Sequence, residues 1–161
     1  MSVIGVDVDN TLDLSSHRQM LSLRPASESD VPYLIDLRTR TITEHLEKAG
    51  VRLSPDEHED RARSYLEACS LVLLDKRIVG MIKVEKALQK WKIHQVQIEP
   101  DHQGRGITTQ LMHQIMSNAR ACGVAIELEV LKESPARRLY ERLGFKLVGE
   151  DSIEYQMRID S

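Results

Sequence analysis

The stretch from Trp91 to Gly123 constrains the fold most, because it joins a strand to a helix through a glycine-rich turn. Alternation from Trp91 to Ile98 predicts Ile93, Gln95 and Gln97 on one face of a strand and His94, Val96 and Ile98 on the other. Pro100 ends the ladder, since it has no N–H to donate. Beyond it Ile107, Leu111, Ile115 and Ala119 recur at helical spacing, Cys122 extends the stripe, and Gly123 stands where a left-handed cap closes a helix. Between strand and helix lies Gln103-Gly104-Arg105-Gly106. A glycine turn opening a helix leaves backbone N–H groups unpaired and turns the positive end of the helix dipole outward, which suits a phosphate. Gly104 and Gly106 let the backbone approach an anion with no Cβ in the way, and Arg105 adds a permanent charge. The turn is neither a Walker loop, as no Gly-Lys-Ser/Thr follows, nor a dinucleotide fingerprint, whose third glycine is replaced by Thr109.

A second block, Leu128 to Phe145, reads LEVLKESPARRLYERLGF. Ile126, Leu128 and Val130 share one strand face and Glu127 and Glu129 the other, while Ala136, Leu139, Tyr140 and Leu143 form a helical stripe stopped by Gly144. Together the two blocks resemble the GNAT superfamily of acetyl-CoA-dependent N-acetyltransferases. Its signature Gln/Arg-x-x-Gly-x-Gly/Ala reads here Gln103-Gly104-Arg105-Gly106-Ile107-Thr108, with threonine in place of the last small residue. Its downstream Asn-x-Ala-x-x-Leu-Tyr-x-x-x-Gly-Phe reads Ser134-Pro135-Ala136-Arg137-Arg138-Leu139-Tyr140-Glu141-Arg142-Leu143-Gly144-Phe145, with serine in place of asparagine. The resemblance runs from Leu21 to Met157, so residues 1–20 are expected to be an extension and 21–161 the transferase domain.

The order of elements agrees. A short strand at Leu21 to Pro25 precedes a helix capped near Ser29-Asp30 that carries Val31, Leu34, Ile35, Ile42 and Leu46 inward. Ser54-Pro55 opens a second helix, with Ala62, Tyr65 and Leu66 on one face. Ser70 to Asp75 and Ile78 to Glu85 form a hairpin, and after the two blocks a final hairpin runs from Phe145 to Ile159. The resulting β, α, α, β, β, β, α, β, α, β, β succession is that of the family's α/β (mixed α+β) fold: a mixed twisted sheet with helices on both faces and a splayed central V between Trp91–Ile98 and Ala125–Leu131.

The resemblance implies acetyl-CoA as co-substrate and direct transfer of its acetyl group to a primary amine in a ternary complex. It implies that the backbone at Val96 and Ile98 binds the pantetheine arm, that Gln103, Gly104, Arg105, Gly106, Ile107 and Thr108 seat the pyrophosphate, and that Ser134 and Arg137 add cofactor contacts. Lys132 and Arg138 are further candidates for the phosphates. Tyr140 is the implied acid at the departing sulfur. The family often places a carboxylate base on the strand that here carries His94, Gln95 and Gln97; His94 has a suitable unperturbed pKa, and Glu99, Glu127 and Glu129 are the carboxylates in reach. The acceptor is expected between the first two helices, about residues 40–53, and the final hairpin, where Glu44, His45 and Glu47 could meet a cationic amine. Both small molecules and protein amino groups fit, and a homodimer stays open.

One domain accommodates 161 residues. Aromatics at 4% and a net charge of −3 argue against a nucleic-acid surface of stacked rings and basic field. Cys69 and Cys122, far apart and with no secretory leader, predict core thiols in a reducing cytoplasm, and no apolar run is long enough for a bilayer. No metal site is expected. The N-terminal Val3 to Leu12 segment, VIGVDVDNTL, looks like the nucleophile motif of haloacid-dehalogenase-type phosphatases, with Asp7 and Asp9 as its acids. That fold needs several parallel βαβ units after the motif, and amphipathic helices follow instead. The alternatives to a transferase are therefore an acyl-CoA-binding regulatory module and, more remotely, such a phosphatase.

Overall fold

Val79 to Val84 are six consecutive buried residues, the mark of a strand covered on both faces. In the computed structural model, which describes residues 12–13 and 18–161, this run lies in the third strand of a seven-stranded sheet. The VDVDNT segment lies outside the described residues. In chain order the elements are β1 (Leu12–Asp13), β2 (Arg18–Gln19), β3 (Leu21–Pro25), α1 (Val31–Lys48), α2 (Pro55–Arg63), β4 (Cys69–Leu74), β5 (Arg77–Lys86) and β6 (Lys90–Ile98). There follow α3 (Ile107–Cys122), β7 (Ala125–Leu131), α4 (Ala136–Leu143), β8 (Lys146–Glu150) and β9 (Glu154–Ile159). β1 and β2 pair with each other; the large sheet runs β3-β4-β5-β6-β7-β9-β8. Every neighbouring pair in it is antiparallel except β6 and β7, whose parallel pairing requires the crossover that α3 supplies.

The sheet divides two cores. On one face Ile82, Val84, Ile93 and Ile98 pack with Ile107, Leu111 and Ile115 of α3 and Tyr140 of α4; on the other Leu71 and Met81 pack with Leu34 and Leu37 of α1 and Ala62 of α2. Helices thus cover both faces, and the mixed α/β architecture expected from the element order is the one found.

Two local features shape the middle of the sheet. First, Lys83 pairs with Gln95 but Val84 with Ile93, so His94 is an extra residue on β6. This bulge breaks the expected alternation: Ile93 falls on the same face as Val96 and Ile98, opposite Val84, Ile82 and Gly80, while Gln95 and Gln97 pair with Lys83 and Met81 towards α1 and α2. Second, β6 and β7 pair only from Lys90↔Ala125 to Ile93↔Leu128, although β6 stays paired with β5 to Ile98 and β7 with β9 to Leu131. The two strands part after Ile93, which is the expected V.

Three helices stop in the same way. In α4 the Gly144 N–H donates to Glu141 C=O and the Phe145 N–H to Tyr140 C=O, each at 3.0 Å, with Gly144 at φ 107°. The ends of α1 at Gly50–Val51 and of α3 at Gly123–Val124 repeat the pattern. At α3 this returns Val124 to the core and leaves Cys122 exposed, so only Cys69 is the core thiol the sequence suggested; burial pushes the Cys69 thiol up to about 11. The expected second helix also ends early, at Arg63, and Tyr65 leaves it in the left-handed region at φ 58° and exposed rather than packed inward with Ala62.

Candidate active site

The parting of β6 and β7 opens a cleft of about 640 Å³. His94 to Ile98 of β6 form one side and Glu129 to Leu131, Ser134 and Tyr140 the other; Gln103, Gly104 and Thr108 lie at the α3 end, and Arg38, Thr41, His45, Arg61 and Tyr65 at the α1 and α2 end. The backbone direction follows from neighbouring bonds. Glu99 N–H donates to Val79 C=O at 2.8 Å, so by alternation the amides of Ile98 and Val96 face away from β5 and into the V. One of those groups is taken: Gln103 Nε2 donates to Ile98 C=O at 3.0 Å, so Gln103 stitches the glycine turn to the strand end.

At that turn Gly104 and Gly106 have φ 78° and 80°, and a Cβ on either would meet nothing within 4 Å. Gly106 is the N-cap of α3, has no side chain to cap it, and its carbonyl accepts the helix's first bond, from Gln110 N–H at 3.0 Å. The N–H groups of the first turn, from Ile107 to Thr109, therefore precede the helix's own ladder and remain available to an anion. Gln103, Gly104, Arg105 and Gly106 are exposed, Thr108 lines the cleft, and the buried Ile107 side chain anchors the helix in the core. Glycine adopts both positive-φ positions without strain, and the open space beside them is what an oxyanion requires.

The other wall is built by α4. Ser134 Oγ accepts from Ala136 N–H at 3.2 Å, one residue ahead of the Pro135 N-cap, and so ties the loop to the first turn of α4. Tyr140, 8% exposed, meets Phe145 edge to face at 5.9 Å, and burial pushes its hydroxyl up to about 12. It is protonated throughout the physiological range and lines the cleft. Arg137 is engaged elsewhere: its Nε lies 3.2 Å from Glu141 and its guanidinium 4.2 Å over the Tyr155 ring. Lys132 sits on the same ring at 5.3 Å and bonds Glu150 at 2.7 Å. Arg137 is thus held by Glu141 of its own helix and by the β9 ring, and Lys132 by Glu150 of β8 and the same ring.

Of the candidate bases, His94 lies in the cleft, with Nε2 2.9 Å from Glu85 Oε1 and its ring stacked on Tyr65 at 3.8 Å and 15°. Glu99 is a structural lock. It accepts from Tyr33 Oη at 2.6 Å and from Arg40 Nη1 and Nη2 at 2.7 and 3.1 Å, and the Arg40 hydrogen bonds hold its carboxyl below the usual range despite burial. Glu127 is similarly held low between Lys90 and Arg158, whereas Glu129 lines the cleft and pairs with Lys92 at 3.1 Å. Burial, and Glu129 beside it, raise the Glu154 carboxyl on the same side. Glu44 pairs with Lys48 on the outer face of α1, while His45 lines the cleft.

Among the cleft residues that the sequence did not single out for a site are Arg38, Tyr65 and Glu154, and Glu85 joins them as the partner of His94. Arg38 had a readable signal, since it falls four residues after Leu34 on the inward stripe of α1. Tyr65 and Glu85 had none, because their meeting with His94 depends on an early helix end and a bulge.

Residues 41–158 match the family model described as acetyltransferase (GNAT) domain. A streptothricin acetyltransferase of Escherichia coli is 25% identical over 162 residues, covering 98% of this chain and 87% of that protein. A streptothricin acetyltransferase of Streptomyces lavendulae is 37% identical over a stretch of 70 residues, which covers 42% of this chain and 37% of the relative. The structure of PaiA N-acetyltransferase from Thermoplasma acidophilum, in complex with coenzyme A, superposes with a TM-score of 0.69 at 16% identity, over 88% of this chain and 99% of that one. An acetyltransferase from Thermus thermophilus superposes with a TM-score of 0.70 at 19% identity, over 88% and 97%. With the splayed sheet and glycine-opened helix in place and the family model matched across most of its length, this chain belongs to the GNAT acetyltransferase family.

Proposed function

We propose that the chain transfers the acetyl group of acetyl-CoA to a primary amine by direct attack within a ternary complex. The observation that carries this reading is the parting of β6 from β7 beside an α3 N-terminus with no side-chain cap, which leaves strand backbone and helix N–H groups facing one cleft. A pantetheine arm fits the first as an added strand, through the backbone of Val96 and the N–H of Ile98, and a pyrophosphate fits the second, on Gly104, Gly106, Ile107 and Thr108 with Arg105 beside them. Ser134 borders the arm from the α4 side. Acetyl-CoA supplies the activated acyl group as a thioester.

Tyr140 donates the proton that the departing sulfur needs, its O–H fixed by the burial of the ring. His94 accepts the proton lost by the attacking nitrogen. Its bond to the Glu85 carboxylate fixes the ring proton on Nε2 and leaves Nδ1 as the acceptor, and the Tyr65 ring holds the imidazole plane. Residues 1–20 take no part in this assignment, and the free thiols Cys69 and Cys122 suit a reducing cytoplasm.

Thiol release from acetyl-CoA against a panel of amines, streptothricin included, tests the reading in both the full chain and a chain starting at Met20. Transfer to at least one amine by both is expected. Tight acetyl-CoA binding with no transfer to any amine would make the protein a binding module instead.

A further inference from the structure

Arg38 is the most deeply placed arginine of the cleft. It sits on the inward stripe of α1 beside Leu34 and Leu37 and is only 6% exposed, yet it lines the cleft. Its Nε is fully enclosed with no hydrogen-bond partner, and among the described residues its guanidinium makes no ion pair. Leaving a guanidinium unpaired at such depth is strongly unfavourable, whereas seating an anion on it offsets that penalty.

Its charged neighbours deepen the deficit. Arg61 of α2 lines the same cleft, and its positive charge adds to burial in pushing the Arg38 guanidinium down to about 10. His58 and Lys83 also lie within its electrostatic reach, and both are buried. Lys83 is no free site: its ammonium donates to the carbonyls of Arg61, Ala62 and Ser64 at 3.1, 3.0 and 2.6 Å. The α1 and α2 wall of the cleft is therefore cationic without a carboxylate of its own, while Glu129 and Glu154 line the β7 and β9 side. A ligand spanning the two walls needs a negative group at one end and an amine at the other.

We infer that the acceptor is an amine that also carries a carboxylate, an amino acid or a compound with the same pair of groups, whose carboxylate is seated on Arg38 with Arg61 as the second cation. A guanidinium fork matches the two oxygens of a carboxylate, and the flat, permanent charge of arginine is suited to a partly desolvated site. The inference rests on the acetyl-transfer reading for its amine and on the α1 and α2 wall for its anion.

The test pairs each common amino acid with its own primary amide, which keeps the amine and removes the charge. Calorimetric binding to the protein with coenzyme A present, and thiol release from acetyl-CoA, are both measured. At least one amino acid is expected to bind and react with kcat/KM at least about tenfold above its amide, the difference residing in KM. Arg38→Gln is expected to collapse that acid-over-amide ratio towards one; should it not fold, Arg61→Gln, at an exposed position, is expected to reduce the ratio several-fold. Amides bound and acetylated as well as the acids, or a preference intact in the folded variants, overturns the inference while leaving acetyl transfer standing. Amino acids that bind over their amides, but release no thiol, support the anion seat and overturn acetyl transfer to them. No binding of any amino acid overturns the seat whatever the thiol assay gives.

Discussion

Phe145 fixes Tyr140 twice: its N–H donates to the Tyr140 carbonyl at 3.0 Å, and its ring meets the Tyr140 ring edge to face at 5.9 Å. The stop signal of α4 and the placement of a candidate acid are one structure. Because backbone and ring do the holding, Tyr140→Phe leaves the fold intact. If the hydroxyl is the acid, the variant loses at least about 10²-fold in the chemical step while acetyl-CoA affinity changes little. Single-turnover thiol release decides it. A chemical step within a few-fold of the parent would assign protonation of the sulfur to water or another group.

Gly104→Asp probes the phosphate seat. Aspartate tolerates the left-handed region better than other side chains and its Cβ meets nothing within 4 Å, so the fold should survive. A negative charge at the seat should lower acetyl-CoA affinity by at least about tenfold, read by calorimetry. Gly106→Trp should do the same by bulk, with added strain at φ 80°. Unchanged affinity in both would move the seat elsewhere.

The Glu99 lock predicts an acid limb in stability. Its carboxyl titrates below the ordinary value of 4.5 in the folded protein, chiefly through the Arg40 hydrogen bonds. A depressed carboxyl contributes fully above its unfolded pKa, and that contribution is lost as pH falls from about 4.5 through the folded value. Glu99→Gln should cost about 1–3 kcal/mol at pH 7 and flatten the loss of stability below that pH. Denaturant midpoints at pH 7 and pH 3.5 check it; an equal cost at both would show that the ion pair contributes little.

Lys83→Met should be among the most damaging substitutions outside the reacting groups. At 2% exposure, the ammonium ties three carbonyls at the end of α2 to the middle of β5. Removing it leaves those carbonyls without that donor and should cost about 3 kcal/mol or more, visible in the thermal midpoint. Burial holds its pKa below the ordinary lysine value, so the folded protein keeps this ammonium through its bonds to the three carbonyls and against the cost of desolvation.

What could be read in the sequence were features set by near neighbours. The stripe Ile107, Leu111, Ile115 and Ala119 is buried as its spacing required, and glycines at 104, 106, 123 and 144 all adopt the positive φ that turns and caps demand. What could not be read were meetings across the sheet. The extra residue at His94 reverses the alternation of β6, so the face assigned to Ile93 was wrong, and the same bulge accompanies the His94 to Glu85 contact. Arg137 carried a motif position but also a glutamate four residues on and a ring on β9, and local partners claimed it. An inward arginine such as Arg38 reads in sequence as a break in a stripe; only its lack of a partner gives it meaning.

The short parallel seam between β6 and β7, from Lys90↔Ala125 to Ile93↔Leu128, bears on endurance as well as chemistry. Four residues on each strand join one half-sheet to the other there, so beyond them the two halves lack the backbone bonds that tie every other neighbouring pair of strands, and local opening is expected to start at the notch. A ligand lying in the notch acts as missing rungs between the halves. Survival and occupancy then rise together, by about 1.4 kcal/mol for each tenfold excess of ligand over its Kd. A cell short of that ligand would carry less of the protein, because the unfilled form is the one that opens.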